Sequence, residues 1–301
     1  MTQVTAEMVR DLRERTGVGM MECKKALVAA NGEMDQAIES LRKAGQATAV
    51  KKGNRIAAEG LVSVAVTADN KTAVIAEINC ETDFVARESR FKQFAQQVAA
   101  VALSSKIDAV DKLVQQKLAT GSTVEESRLE LVGQLGENIA VRRINFVQAS
   151  GNGVVAVYAH GGDAGTARIA SVVAIDAADV NLAKDIAMHI AAMKPEYLNE
   201  AQVPAERLAK EKEILLAQAQ ETNAGKPVEI LEKIIAGKIG KFMKEITLIG
   251  QPFVKNPDQT IGTLLSTAKA SVTSYARFEV GEGIEKKVTD FVGEVMSQVK
   301  G

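Results

Sequence analysis

There is no tryptophan among the 301 residues, and cysteine and histidine occur twice each. Cys23 and Cys80 lie far apart, which excludes a disulfide framework and fits a reducing compartment. His160 and His189 share no metal-ligand spacing with those cysteines, and no His-Glu-x-x-His arrangement occurs, so a zinc site is not expected. Long apolar runs are missing as well: no uninterrupted stretch reaches membrane-spanning length. The first residues form neither an apolar signal core nor an Arg- and Ser-rich, acid-poor transit segment. Nor is there an excess of one charge. Lys and Arg number 37 against 38 Asp and Glu, and a net charge of −1 sets up no general attraction for nucleic acid or anionic lipid. The first 55 residues hold ten basic and seven acidic side chains, too mild a bias to argue for RNA.

Signatures of covalent chemistry are equally scarce. No Gly-x-x-x-x-Gly-Lys-Ser/Thr loop is present; Gly237-Lys-Ile-Gly240-Lys241 has the wrong spacing and sits inside a helical pattern. Gly161 to Gly165 follows a strand but opens no helix, which suits a hairpin tip better than a phosphate loop. Cys23 stands beside Lys24 and Lys25, which could lower its pKa, but no general base accompanies it. No carboxylate pairs with a plausible nucleophile. The expectation is a cytoplasmic protein that is not an enzyme, with no cofactor, no metal, no membrane segment and no direct nucleic-acid contact.

What is present is an ordinary globular composition, 46% hydrophobic and 25% charged, in a chain long enough for two or three compact units. The fold class expected is α+β. Three short helices come first: Thr5 caps one carrying Met8, Val9 and Leu12 and ending at Gly17, and Met20 to Ala30 forms the next. Met34, Ala37, Ile38 and Leu41 line the third, expected to stop at Gly45, with 46–55 as a linker. Helices this short bury their stripes only against one another, which implies a bundle. An internal repeat follows. Leu61–Val66, a turn at Ala68–Lys71 and Ala73–Ile78 predict an antiparallel hairpin, followed by a helix bearing Phe91, Phe94, Ala95, Val98, Ala99 and Ala100. The pattern recurs as Val154–Tyr158, the Gly161–Gly165 tip, Ile169–Ile175 and a helix with Ile186, Ala187, Ile190, Ala191 and Ala192. Two similar sheet-plus-helix subdomains are the natural reading. Between Pro204 and Met243, helical spacing of Leu208, Leu215 and Leu216, a turn at Gly225-Lys226-Pro227, and Ile230, Leu231, Ile234, Ile235 and Phe242 predict an antiparallel helical hairpin. Val272 to Val280 alternates like a further strand, and Gly281 and Gly283 lead into a final helix with Val288, Phe291, Val292 and Val295. The domains expected are 1–55, 56–149, 150–203 with 244–280, the 204–243 insertion, and 281–301.

Residues 79 to 87, Asn-Cys-Glu-Thr-Asp-Phe-Val-Ala-Arg, stand out because an acid sits beside a phenylalanine where a strand should end. Asn79, Thr82 and Asp83 are residue types that open helices, which puts Phe84 in a first turn next to a negative charge. One reading is capping plus a core phenylalanine; the other is a functional pair.

Six segments, in order along nearly the whole chain, resemble the elongation factor Ts family, the nucleotide-exchange factors of the translational GTPase elongation factor Tu. They are Leu12–Leu27; Thr82-Asp83-Phe84-Val85; Gly136-Glu137-Asn138-Ile139 with Arg142-Arg143; His189–Pro195; Gly250–Val254; and Arg277–Lys286. The resemblance implies a small ubiquitin-associated-like domain at the N-terminus and a coiled-coil hairpin over 204–243 used in self-association. It also implies a detachable C-terminal helical module. It implies elongation factor Tu as partner, with Asp83 and Phe84 entering the GTPase near its Mg²⁺ site and Thr82 and Val85 completing the motif. By the same resemblance Met20, Met21, Lys24 and Ile139 meet the GTPase domain, and His160 meets the partner's far β-domain, although the glycine-rich tip after His160 is longer than the family pattern. The residues alone leave alternatives: Met20 and Met21 as bundle core with at least one pointing outward, Ile139 as a buried isoleucine, and His189 as a satisfied core histidine. Two other functions compete, an adaptor built on the N-terminal bundle and an enzyme using a cleft between the repeated lobes. Neither accounts for six segments in order.

Overall fold

The computed structural model describes residues 4–163, 165–222 and 228–285, without the side chains of 220–222 and 228–229. It is mixed helix and sheet, as the α+β expectation requires. The chain opens with α1 (Ala6–Thr16), α2 (Met20–Ala29) and α3 (Met34–Lys52). Thr5 caps α1 by accepting the Met8 amide at 3.2 Å, and Gly17 ends it in the left-handed conformation at φ 66°. Val9, Leu12, Cys23, Ala26, Leu27 and Ala37 form the small core of this bundle.

The third helix does not stop at Gly45, and the linker expected over 46–55 is helical as far as Lys52. Gly45 is there for packing. A methyl group added at Gly133, on a later helix, would lie 2.9 Å from the Gly45 Cα, so the two backbones touch where neither has a side chain.

Next come β1 (Glu59–Val66), β2 (Thr72–Cys80), α4 (Asp83–Arg87), α5 (Ser89–Ser105), α6 (Val110–Leu113), α7 (Val124–Leu135) and β3 (Ala140–Gln148). A capping box between Thr123 and Glu126 starts α7, the helix that carries Gly133. Strand β2 runs through Asn79 to Cys80, so Asn79 opens no helix. It is buried, and its amide donates to the Glu59 carbonyl and the Glu77 carboxylate at 3.1 and 3.0 Å. Strand β3, whose two arginines obscure its alternation, was not foreseen as a strand. On α5 the apolar positions named from sequence are buried except Ala100, which is exposed.

The second half holds β4 (Val154–His160), β5 (Thr166–Ala167), β6 (Ile169–Ile175), α8 (Val180–Met193), α9 (Ala205–Thr222) and α10 (Val228–Ile246). A small hairpin, β7 (Pro252–Phe253) with β8 (Asn256–Thr260), precedes α11 (Ile261–Thr267) and β9 (Val272–Glu279). Strands β4 and β6 pair antiparallel from Val154 opposite Ile175 to His160 opposite Ile169, and β9 adds to β6 as expected. Helix α8 lays Ala183, Ile186, Ala187 and Ile190 on Val154, Ala156, Val173 and Ile175 of that sheet. Ala192 of this helix, expected among its apolar stripe, is exposed. Helices α9 and α10 lie against each other, with the Arg207 guanidinium 5.1 Å from the Phe242 ring centre. The expected turn at Gly225-Lys226-Pro227 and the final helix from Lys286 on lie outside the described residues.

The chain forms two compact units. One comprises the described residues up to Ser63, Ala76–Ile144 and those from Glu279 on; the other comprises Val64–Ile75 and Asn145–Phe278. The three N-terminal helices, expected as a domain of their own, belong to the first unit. The larger sheet has the order β3-β2-β1-β5, and the smaller has β4-β6-β9.

Candidate functional site

Helix α4 is five residues long, too short to persist on its own propensity. Two things hold it. Val85 and Ala86 face inward and are buried, and the Thr82 hydroxyl caps the turn by accepting the Val85 amide at 3.4 Å. The remaining side chains face out. Phe84 is 79% exposed, so the core reading of this residue fails and the most solvated large aromatic position in the motif is the one beside the acid. Asp83 Oδ2 pairs with Arg87 Nη2 one turn on at 2.8 Å, with both side chains substantially exposed. Such a pair is worth about 0–1 kcal/mol, so Asp83 can change partner at little cost.

The turn before Phe84 is clasped from the loop that follows α7. Gly136 ends α7 at φ 75°, and Glu137 then turns its carboxylate onto the start of α4. Oε2 accepts the amides of Glu81 and Thr82 at 3.0 Å each, and Oε1 accepts the Thr82 hydroxyl at 2.5 Å. The clasp is reciprocal, because Glu81 Oε1 accepts the Asn138 amide at 2.6 Å. Asn138 in turn donates its side-chain amide to the carbonyls of Gly53 and Arg55, and Lys52 donates to the carbonyl of Gly136. Ile139, expected to touch a partner, is fully buried, with its carbonyl accepting from Arg128 at 2.8 Å. Val85 is likewise an anchor and not a contact surface.

On α2 both methionines are outward, Met20 at 43% and Met21 at 66% exposure, with Lys24 exposed one turn further. Val28, a turn beyond Lys24 and on the same face, is also exposed, a position the sequence reading did not single out. The turn leading into α2 is tied to the helices that flank the clasp. Arg90 of α5 donates to the Gly17 carbonyl at 3.3 Å, and Gln134 of α7 donates to the Thr16 carbonyl at 2.7 Å. Partial burial pushes the pKa of Glu88, the cap of α5, up, but bonds from the Arg90 side chain and amide bring it below the ordinary value.

A second polar cluster went unread. Glu77 lies in the apolar strand β2 with no exposure at all. It accepts from Arg142 at 3.0 Å, Arg143 at 2.5 Å, Asn79 at 3.0 Å and the Gly281 amide at 2.8 Å. Burial pushes its pKa up, but these donors together bring it below the ordinary value. Arg142 and Arg143 reach on to the Glu282 and Glu279 carbonyls, so the third and sixth motifs meet at this carboxylate.

In the other unit, His160 is exposed at the end of β4, its Nδ1 3.2 Å from the Tyr158 hydroxyl. His189 is the satisfied core histidine anticipated: its Nδ1 accepts the Val254 amide and its Nε2 meets Gln251 Oε1 at 3.0 Å. Burial lowers its pKa, with the Gln251 bond opposing. Among the described residues, no three His, Cys, Asp or Glu side chains gather as a metal site, and no helix is long and apolar enough to cross a membrane.

A braced turn that holds an aromatic ring in solvent, and a helix with an outward methionine pair, are exposed apolar groups of the class found on proteins that act by docking. Comparison with known proteins agrees in kind. A family profile described as Elongation factor TS matches residues 81–282. Over 99% of both chains the sequence is 52% identical to the elongation factor Ts of Thioalkalivibrio sulfidiphilus and 53% identical to that of Methylococcus capsulatus. It is 51% identical to that of Legionella pneumophila over the full length of both. The chain belongs to the elongation factor Ts family, and so to the elongation factors of protein biosynthesis.

Proposed function

We propose that this protein binds elongation factor Tu in its GDP form in the cytoplasm and promotes GDP release by contact alone, so that GTP can reload. A GTPase holds GDP through backbone amides, a lysine and a Mg²⁺ ion on the phosphates. A partner accelerates release by stabilising the form in which those contacts are broken, and nucleotide must then weaken the partner's grip by the same factor. Phe84 is the wedge, a rigid apolar group that gains free energy only on entering a pocket. Asp83 leaves its weak pair with Arg87 to compete for groups that organise the metal and phosphates. Met20, Met21 and Lys24, with Val28 added, form a second contact, and His160 with Tyr158 a third. Ile139 and Val85 act from inside, by packing. Self-association through the 204–243 hairpin is part of the same proposal, supported by the exposure of Ile214, Leu216 and Ile230.

The observation that carries this reading is the exposure of Phe84 on a turn whose start is held by three hydrogen bonds to Glu137. The test is stopped-flow release of fluorescent GDP from elongation factor Tu, with the wild type and with Phe84→Ala and Asp83→Ala. Acceleration by the wild type that is largely lost in both variants is expected. No acceleration with a competent partner would overturn it.

A further inference from the structure

We infer that Glu137 is a positioning residue for Phe84: its carboxylate sets the Thr82 hydroxyl and the two amides before α4, and thereby fixes the direction in which the ring is presented. This rests on the exchange reading above. Phe84 has almost no packing of its own, so its direction is inherited from the five-residue helix that carries it. That helix depends on the Thr82 cap. A hydroxyl has one proton to give; donating it to Glu137 Oε1 leaves its lone pairs for the Val85 amide. The other carboxylate oxygen takes the Glu81 and Thr82 amides, which lie before the first turn and have no helical carbonyl to meet. One side chain thus decides three donors. The path runs from Glu137 to Thr82, from Thr82 to Val85, and from Val85 to the adjacent Phe84.

Only an ionised carboxylate, an acceptor at both oxygens, serves all three. Glutamine puts a donor against the Thr82 hydroxyl, which must then turn its proton away and accept, so the hydroxyl no longer donates and the charge assistance to all three donors is lost. The role differs from that of a contact residue, because Glu137 acts only while Phe84 is there to be aimed.

The experiment uses the full chain and has two readouts. The first is GDP release from elongation factor Tu by Glu137→Gln, Phe84→Ala and the double variant, with thermal melts to confirm folding. Glu137→Gln alone should slow exchange about tenfold, the scale of lost charge-assisted hydrogen bonds. The double variant should be no slower than Phe84→Ala. Multiplying effects in the double variant would mean that Glu137 touches the partner itself, and would overturn the proposal. Thr82→Ser, which keeps the hydroxyl, should exchange like the wild type, whereas Thr82→Val should match Glu137→Gln. The second readout needs no partner. Because the chain has no tryptophan, Phe84→Trp gives a single reporter whose anisotropy decay measures local order. Adding Glu137→Gln should introduce a fast component, and an unchanged decay would sink the positioning role even if exchange were slowed. Loss of wild-type exchange with the fast component still present would instead overturn the function and leave the positioning intact.

Discussion

The two repeats place the same hairpin and helix in each half of the chain, yet only the first presents an exposed aromatic side chain between strand and helix. Both start with a glycine that a methyl group would ruin. A Cβ at Gly60 would stand 2.1 Å from the Ile78 carbonyl oxygen, and one at Gly153 would stand 2.3 Å from that of Ile175. From these matched points the spacings diverge. Eighteen positions separate Gly60 from Ile78, but twenty-two separate Gly153 from Ile175. Seventeen then lead from Ile78 to Ala95, but only twelve from Ile175 to Ala187. The near-equal overall period hides two opposite changes. The extra length of the second hairpin makes the tip containing β5, whose Gly165 carbonyl accepts the Val64 amide at 2.8 Å. The extra length of the first repeat is α4. In the second repeat Asp179 caps α8 directly, accepting the Leu182 amide at 2.9 Å, and no turn intervenes.

The sharpest test of that equivalence is Gly60→Ala against Gly153→Ala. Each should cost at least ~3 kcal/mol, since backbone and not a side-chain tip would have to yield. Urea melts showing one of them near neutral would break the pairing of the repeats. Next in size is Glu77→Gln, which leaves two arginines facing a weaker acceptor and should destabilise by about 3 kcal/mol, read by the same melts. Third, Phe84→Ala should cost about 2 kcal/mol or more in exchange but under ~0.5 kcal/mol in stability, because the ring is solvated. Equal losses in both assays would return Phe84 to a structural role. Smallest is the response to acid, which should separate the halves. His189 has a folded pKa below its ordinary 6.5, so the stability it confers is complete above that pH and declines as pH falls below it. Glu77 is held below its ordinary 4.5, so its contribution persists to that pH and is lost only on further acidification. Hydrogen exchange should therefore quicken around Val254 at a higher pH than around Gly281.

Much of this was legible beforehand. The repeat, the strand β9, the caps at Thr5 and Gly17 and the turn opened by Thr82 all follow from residue type and spacing, whereas a role for Asp83 and Phe84 is read from the family resemblance. What escaped depended on partners distant in sequence. Gly45 has the look of a helix stop, and only Gly133 opposite it shows that the helix must continue there without a side chain. Asn79 has the chemistry of a cap but is used inside a strand, beside a glutamate that local pattern counted as part of an apolar run. Glu137 belonged to a recognised motif, yet its work is done on residues more than fifty positions earlier. Exposure was ambiguous for the same reason. Phe84 and Ile139 are both apolar residues in recognised motifs, and only the folded surroundings separate the one held in solvent from the one fully enclosed.

Glu77 accepts its bond from Gly281 across 204 positions of sequence. During synthesis the carboxylate is made first, and the amide that completes its coordination follows 204 residues later. At roughly 5–20 residues per second, the wait is on the order of 10–40 s. Until that amide arrives, the carboxylate has only its side-chain donors, Asn79, Arg142 and Arg143. Chains ending at Phe278 should consequently melt earlier than chains ending at Glu285, and equal melting of the two would show that the arginines suffice.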